Sequence, residues 1–147
     1  MPIEYRVLPA CRLVHARGFG IITDRDIFEY QREAWSRPEV RGFDELVDFT
    51  DVEEIVTPTP PGSRMQALAA ESSATDPPEA PAKFAIVAGD TLAYGLGRMY
   101  QAYRELDPRS TKVVRVVRTL DEAERFLEIE DLAWDGPAAT RRAPTNP

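Results

Sequence analysis

The chain opens with alternating apolar and charged residues. Ile3, Tyr5 and Val7 alternate with charged positions 4 and 6, which is the period of a half-buried strand. Residues 9–11 predict a turn, and a second strand is expected over 12–19. The two strands are predicted to pair as an antiparallel hairpin.

Helical and strand-like segments alternate along the rest of the chain. Side chains that can cap a helix mark four starts: Thr23 or Asp24, Ser63 (with Gln66 as a capping box), Asp90 and Thr119. Mostly apolar runs at 46–52, 84–88 and 113–117 predict buried strands. The order is therefore β-β-α-β-α-β-α-β-α. It predicts an α/β fold with a mixed, largely parallel sheet that an N-terminal β-hairpin opens.

The helix after Asp90 is predicted to be the longest. Its apolar stripe is expected at Leu92, Leu96, Met99, Tyr103 and Leu106. Gly95 and Gly97 lie inside it, and each glycine costs about 1 kcal/mol relative to alanine. We expect a close approach of a neighbouring helix or a partner subunit to explain them.

The length of 147 residues suits one domain, predicted over residues 1–134. Residues 72–82 are rich in Ser, Pro and Asp and predict a mobile surface loop. Residues 135–147 are rich in Pro, Ala and Thr and predict a C-terminal tail.

The net charge of −7 argues against nucleic-acid binding, because that binding depends on clustered Lys and Arg. No apolar run is long enough to span a membrane, and the first residues lack a signal-peptide pattern. Cys11 is the only cysteine, so no internal disulfide can form. A soluble, cytoplasmic protein is expected.

Several phrases together resemble the small bacterial stand-alone STAS-like proteins (STAS denotes the sulfate transporter and anti-sigma factor antagonist domain). The phrases are residues 12–18, Thr23-Asp24, 46–52, 84–88, 94–100 and 119–123. The resemblance covers roughly residues 3 to 130 and implies a non-enzymatic regulatory or binding module. A protein partner is expected, and a homodimer is an alternative.

The resemblance also implies a place for a phosphorylation switch. In the anti-sigma factor antagonists, a serine at the start of the helix after the third strand accepts a phosphate. Ser63 is at that helix start here, with Thr57 and Thr59 in the preceding loop. The family's Asp-Ser-Ser-Gly phrase is missing, so the alternative is that Ser63 is only a helix cap.

Other polar residues predict a crevice rather than a catalytic centre. Asp48, Asp51 and Asp90 lie near the ends of parallel strands, where open α/β sheets bind ligands, and Tyr94 follows on the long helix. Asp90 is also explained as a cap and Asp51 as a turn former. His15 is the single histidine and is expected at an exposed or edge-strand position. No catalytic or metal-ligand spacing occurs, so neither an enzyme, a cofactor nor a metal is expected.

Two classes of function remain open from the sequence. The first is a regulatory protein-interaction module that presents the loop from Thr57 to Ser63, as the STAS likeness implies. The second is a small-molecule or lipid-binding module with its ligand between a helix and the sheet, which the glycines and tyrosines of the long helix favour.

Overall fold

The central sheet has strands in the order β1-β2-β3-β4-β5. The computed structural model describes residues 2–58, 60–79, 81–134 and 139–141. Its strands are β1 Ile3–Leu8, β2 Leu13–Thr23, β3 Asp44–Val56, β4 Lys83–Val87 and β5 Val113–Val117. Its helices are α1 Asp24–Trp35, α2 Gly62–Ser73, α3 Thr91–Leu106 and α4 Leu120–Leu127, and a short strand pair follows, β6 Ile129–Glu130 with β7 Thr140–Arg141.

The predicted hairpin and mixed sheet are confirmed. β1 pairs antiparallel with β2, and the other neighbours pair parallel. Each of the three parallel connections carries one helix and steps to the next strand in the same direction. Because such crossovers are right-handed, α1, α2 and α3 all lie on one face of the sheet. The β6–β7 pair was not predicted.

Each face of the sheet has its own apolar core. On the three-helix face, residues such as Val47, Ile86 and Leu96 pack together. α4 follows the last sheet strand and covers the opposite face, where its Ala123 and Leu127 are fully buried. Among the described residues, no helix is long and apolar enough to cross a lipid bilayer.

Three of the predicted helix caps are confirmed, and one is wrong. Thr23, Asp90 and Thr119 each accept backbone N–H groups at the first turn of a helix. α2 instead begins at Gly62, after Pro61, whose carbonyl accepts the backbone N–H groups three and four residues later, from residues 64 and 65. Ser63 is therefore an exposed residue of the first turn, without a capping bond.

The buried face of α3 differs from the predicted stripe. The buried residues are Ala93, Leu96, Gly97, Tyr100 and Arg104. Leu92 and Leu106, at the two ends of the predicted stripe, are 58% and 79% exposed. The small residues Ala93 and Gly97 let the helix lie close to the sheet. Arg104 can be buried because a carboxylate from another segment neutralises its charge.

That segment is the predicted loop 72–82. Its first two residues belong to α2 and are buried. Asp76 forms an ion pair with Arg104, with 3.0 Å between Oδ2 and Nη2 and 1% of each side chain exposed. Asp76 also accepts the backbone N–H groups of residues 111 and 112. Part of this segment is thus fixed into the fold, and mobility of the remainder stays a prediction.

The interpretation of residues 135–147 as a tail needs a similar correction. Ala139 is buried, and Thr140–Arg141 pairs with β6. Arg141 forms an ion pair with Asp44 and donates a hydrogen bond to the Cys11 carbonyl at 3.0 Å. Residues 135–138 and 142–147 of the predicted tail lie outside the described residues.

The two helix glycines predict opposite responses to alanine. A Cβ at Gly95 would meet nothing within 4 Å, whereas one at Gly97 would lie 3.1 Å from Val116 Cγ1. Gly97 therefore serves a close approach of α3 to the sheet rather than to another helix. We expect Gly95→Ala to raise the free energy of unfolding by about 0.5–1 kcal/mol.

Gly97→Ala should leave the free energy of unfolding unchanged or lower it by about 1 kcal/mol, because crowding of the new Cβ offsets the better helix propensity of alanine. Urea-induced unfolding of both variants measures the difference. Equal stabilisation by the two substitutions would contradict this account of Gly97.

Candidate functional site

β2 and β3 extend beyond their neighbours at the carboxyl ends of the parallel strands. β1 pairs with β2 only as far as Gly18, and β4 pairs with β3 only as far as Asp48. Beyond these points, Phe19–Thr23 pairs with Asp51–Val56, and we call these two segments the arm. Register shifts lie on both sides of Gly20, whose φ of +67° suits glycine. Such bulges bend and twist a strand pair.

The two faces of the arm differ in their surroundings. Ile22 on the inner face is fully buried in the three-helix core, and Ile55 opposite it packs against the same core. On the outer face, Phe19, Ile21 and Val56 are 37%, 57% and 45% exposed. No helix in the described ranges covers this outer face, which therefore presents apolar side chains to solvent.

A cavity of about 70 Å³ lies beneath α2. α1 and α3 pack on the sheet, whereas α2 packs mainly on α3 and makes little direct backbone contact with the strands. Met65 and Leu68 of α2 form one wall, and Val47 and Ile86 of the sheet form the opposite wall. At roughly 24 cal/mol per Å³, an apolar void of this size costs roughly 2 kcal/mol of stability.

The cavity extends toward the arm. Ile27 in the first turn of α1, Ala93 in the first turn of α3, and Phe49 and Ile55 of β3 all line it. Three of these four residues are only half-buried. The cavity thus points to the carboxyl edge of the sheet, where open α/β sheets bind ligands.

α2 is fixed much more firmly at its C-terminal end than at its start. Near its end, the Ser72 hydroxyl lies 2.7 Å from the Tyr100 hydroxyl, and Arg104 donates to Ser73 Oγ at 3.1 Å, all in buried positions. Near its start, Arg64 forms a part-exposed ion pair with Asp24 at 2.6 Å. The start of the helix is therefore the end that can move at lower cost.

The predicted phosphoacceptors receive different positions. Ser63 is exposed in the first turn of α2. Thr57 is half-buried after β3, and its hydroxyl has no hydrogen-bond partner among the described residues. Thr59 lies outside the described residues. Ser63 is thus the accessible one of the two residues that can be compared.

The predicted crevice residues do not form one polar cluster. Asp90 Oδ1 is used by two backbone N–H groups as the cap of α3, and Asp48 Oδ1 accepts the Thr50 N–H at 2.9 Å. Asp51 lies on the arm. The Tyr94 ring lies 3.8 Å from the Arg118 guanidinium carbon. In the described part of the chain, no three His, Cys, Asp or Glu side chains are grouped to hold a metal.

A buried ionic network lies at the inner end of the cavity and was not predicted. Glu45, which is 2% exposed, accepts hydrogen bonds from Tyr30 at 2.7 Å, Trp35 at 3.0 Å and Lys112 at 2.8 Å. Burial, and then the Glu45 charge, raises the pKa of Tyr30 well above its ordinary value. Glu45 lies just before the apolar run 46–52 that predicted β3, and its partners come from distant segments that the sequence did not connect.

His15 is buried on the opposite face, on the inner strand β2, which corrects the expectation of an exposed or edge-strand position. It is 2% exposed, and its ring meets Trp134 edge-on with 5.0 Å between ring centroids. Arg6 donates to His15 Nδ1 at 3.4 Å. Burial lowers the pKa of His15 to about 3, with Arg6 and Arg17 contributing in the same direction. The hairpin register, which pairs Arg6 with His15, was the signal for this cluster.

Comparisons with known proteins concern the fold. No protein-family model matches the sequence, and no curated protein matches it either. The backbone is similar to a crystal structure of an uncharacterised protein of the DUF3478 family from Shewanella loihica, described as having a SpoIIAA-like fold. The match has a TM-score of 0.51 and covers 85% of this chain and 93% of the other, at 12% sequence identity. This chain has a SpoIIAA-like fold.

The SpoIIAA-like fold is the STAS-like fold that the sequence resemblance predicted, so this prediction is confirmed. The solved relative is itself uncharacterised. A fold carries many unrelated functions, so the function has to be argued from the surfaces and the cavity of this chain.

Proposed function

We propose that the protein is a non-enzymatic regulatory module that binds a protein partner through the outer face of the arm and the adjacent start of α2. The observation that carries this proposal is the exposed apolar face of a two-stranded parallel ribbon. Parallel strands are found almost only where both of their faces are covered. A partner that packs on Phe19, Ile21 and Val56 would supply the missing cover.

The charge of the arm indicates the chemistry of that partner. Asp51, Glu53 and Glu54 are exposed, and Glu54 lies directly opposite Ile21. The two segments of the arm contain no Lys or Arg. A partner segment that combines apolar side chains with Lys or Arg therefore fits this face best, because the charges steer the encounter and apolar burial holds the complex.

The test is a charge substitution in the centre of the outer face. Ile21→Lys should weaken binding of the partner about tenfold or more, because it removes an apolar contact and places a positive charge on a face that is proposed to receive a basic partner. Proteins captured from the source cells by the wild type and by the variant are compared first. A candidate is then purified, and its affinity for both is measured by calorimetry at low and high salt.

Val113→Lys is the matched control. Val113 is 53% exposed on β5, the edge strand farthest from the arm, and the substitution has the same chemistry. The proposal requires a protein that binds the wild type directly, binds Ile21→Lys more weakly and binds Val113→Lys equally well. It fails if no such protein is found. Sedimentation equilibrium tests whether the chain self-associates. If it does, and if Ile21→Lys abolishes the self-association, a second copy of this chain occupies the outer face. That result would likewise overturn the choice of a basic partner.

Phosphorylation of Ser63 would regulate the same surface. A phosphate in the first turn of a helix is stabilised by free N–H groups and by the helix dipole. It would also add negative charge beside the acidic arm. The intact mass of protein from its own source, compared with a Ser63→Ala variant, tests this: the absence of any phosphorylated species under all growth conditions would count against it.

A second candidate function is a small-molecule or lipid-binding module. The cavity beneath α2 favours it, because this cavity lies between a helix and the sheet and faces the edge where α/β folds bind ligands. Native mass spectrometry of the protein from its own source tests it. A mass that always equals that of the bare chain would argue against it.

A further inference from the structure

We infer that the cavity beneath α2 binds an uncharged hydrocarbon group, either a small apolar molecule or the end of an alkyl chain. This inference names the ligand chemistry of the second candidate function and rests on it. It is independent of the outer face of the arm, because Phe19, Ile21 and Val56 do not line the cavity.

The polar groups on the wall exclude a polar ligand at the inner end. Four side chains there carry polar atoms: Glu45, Tyr30, Tyr100 and Gln31. Both Glu45 oxygens accept protein donors, and the Tyr30 hydroxyl is one of these donors. The Tyr100 hydroxyl bonds to a serine of α2, and the Gln31 amide donates to a threonine beyond α2. Since each of these side chains already has a hydrogen-bond partner within the protein, a ligand there gains affinity chiefly by apolar contact.

The size of the cavity sets the size of the group. An apolar cavity of roughly 150 Å³ stays dry and takes up benzene or xenon. The cavity beneath α2, at about 70 Å³, has room for a xenon atom or a short stretch of hydrocarbon as it stands. A larger group requires α2 to move outward at its start, where the Arg64–Asp24 ion pair is its part-exposed attachment.

The experiment uses xenon as the first probe. Two-dimensional NMR of methyl groups in the full chain is recorded at increasing xenon pressure. Saturable chemical-shift changes are expected for the methyl groups that face the cavity, which are those of Val47, Met65, Leu68 and Ile86. The methyl signals of Ala123 and Leu127, on the opposite face of the sheet, should not shift. Benzene and octanoate are then titrated separately, because they represent a compact apolar molecule and an alkyl chain with a charged head.

Ala93→Leu fills the cavity from α3, and Ala102→Leu is its matched control. Ala93 is buried and lines the cavity, whereas Ala102 is exposed on the same helix. Ala93→Leu should weaken xenon binding about tenfold or more, and Ala102→Leu should leave it unchanged. Val47→Ile adds only one methylene group to the wall and serves if Ala93→Leu fails to fold.

Two results would overturn the inference: no saturable shift in the wild type, or shifts that both filling variants leave unchanged. Binding of either benzene or octanoate with a rise in melting temperature of about 4 °C, at roughly ten times the dissociation constant, supports it and identifies the source of the hydrocarbon. Failure here leaves the arm proposal intact, since the calorimetry with the Ile21→Lys variant needs no ligand in the cavity.

Discussion

Replacing Asp76 by alanine is expected to lower the free energy of unfolding by about 4 kcal/mol. The substitution leaves the Arg104 guanidinium charged and unpaired in a position where 1% of its side chain is exposed. It also removes the acceptor of the backbone N–H groups of Thr111 and Lys112. Breaking one partner of a buried ion pair costs far more than the pair itself contributes, because the remaining charge stays buried.

Equilibrium urea unfolding followed by circular dichroism measures this loss. Glu79→Ala is the control. Glu79 lies in the same segment as Asp76 and forms an exposed ion pair with Arg41. Loss of this exposed pair should not change the free energy of unfolding measurably. The double variant Asp76→Ala/Arg104→Met should recover about 2 kcal/mol, because it removes the unpaired guanidinium. Equal instability of the single and double variants would contradict the charge argument.

The sequence predicted the elements where the determinants are local. The caps at Thr23, Asp90 and Thr119 each act within one helical turn, so the residue types alone indicated the helix starts. The hairpin of β1 and β2 needed only alternation and a turn. The alternation of strands and helices then predicted a largely parallel sheet, and the STAS resemblance agreed with that order.

The determinants of α3 were not local. Arg104 has a polar side chain, so hydropathy excluded it from the buried stripe, while Leu92 and Leu106 were included on hydropathy alone. The carboxylate that permits the burial of Arg104 comes from a segment more than twenty residues away, Asp76. No periodicity in the helix itself contains this information.

The candidate site was only partly predictable for a related reason. Strand ends and the α2 start could be inferred from element order, and they do lie at one edge of the sheet. The lengths of β2 and β3 could not, because two register shifts near Gly20 move side chains to new partners and hide the alternation. The cavity could not be predicted either, since a void arises from the way α2 spans α1 and α3 rather than from any one residue.

Acid is expected to destabilise the protein through His15 before most carboxylates titrate. Its folded-state pKa of about 3 lies below the ordinary value of 6.5, because burial and the charges of Arg6 and Arg17 disfavour the imidazolium ion. The unfolded chain therefore takes up a proton near pH 6.5 while the folded protein does not. The stability that depends on neutral His15 is fully present above pH 6.5 and is lost as the pH falls toward 3.

Between pH 7 and pH 5 this single group should remove roughly 2 kcal/mol from the free energy of unfolding. His15→Gln is the comparison, because glutamine stays neutral and still offers an acceptor to Arg6, while Glu4 remains paired with Arg17 in both proteins. Urea unfolding of both proteins at the two pH values gives two differences, and only the wild type should contain the histidine contribution. The comparison depends on these differences, so a change in absolute stability caused by the shape of glutamine does not affect it. Equal losses in the two proteins would mean that His15 accepts its proton as readily in the folded state as in the unfolded one, and the contact with Arg6 and Trp134 would then have to open in acid.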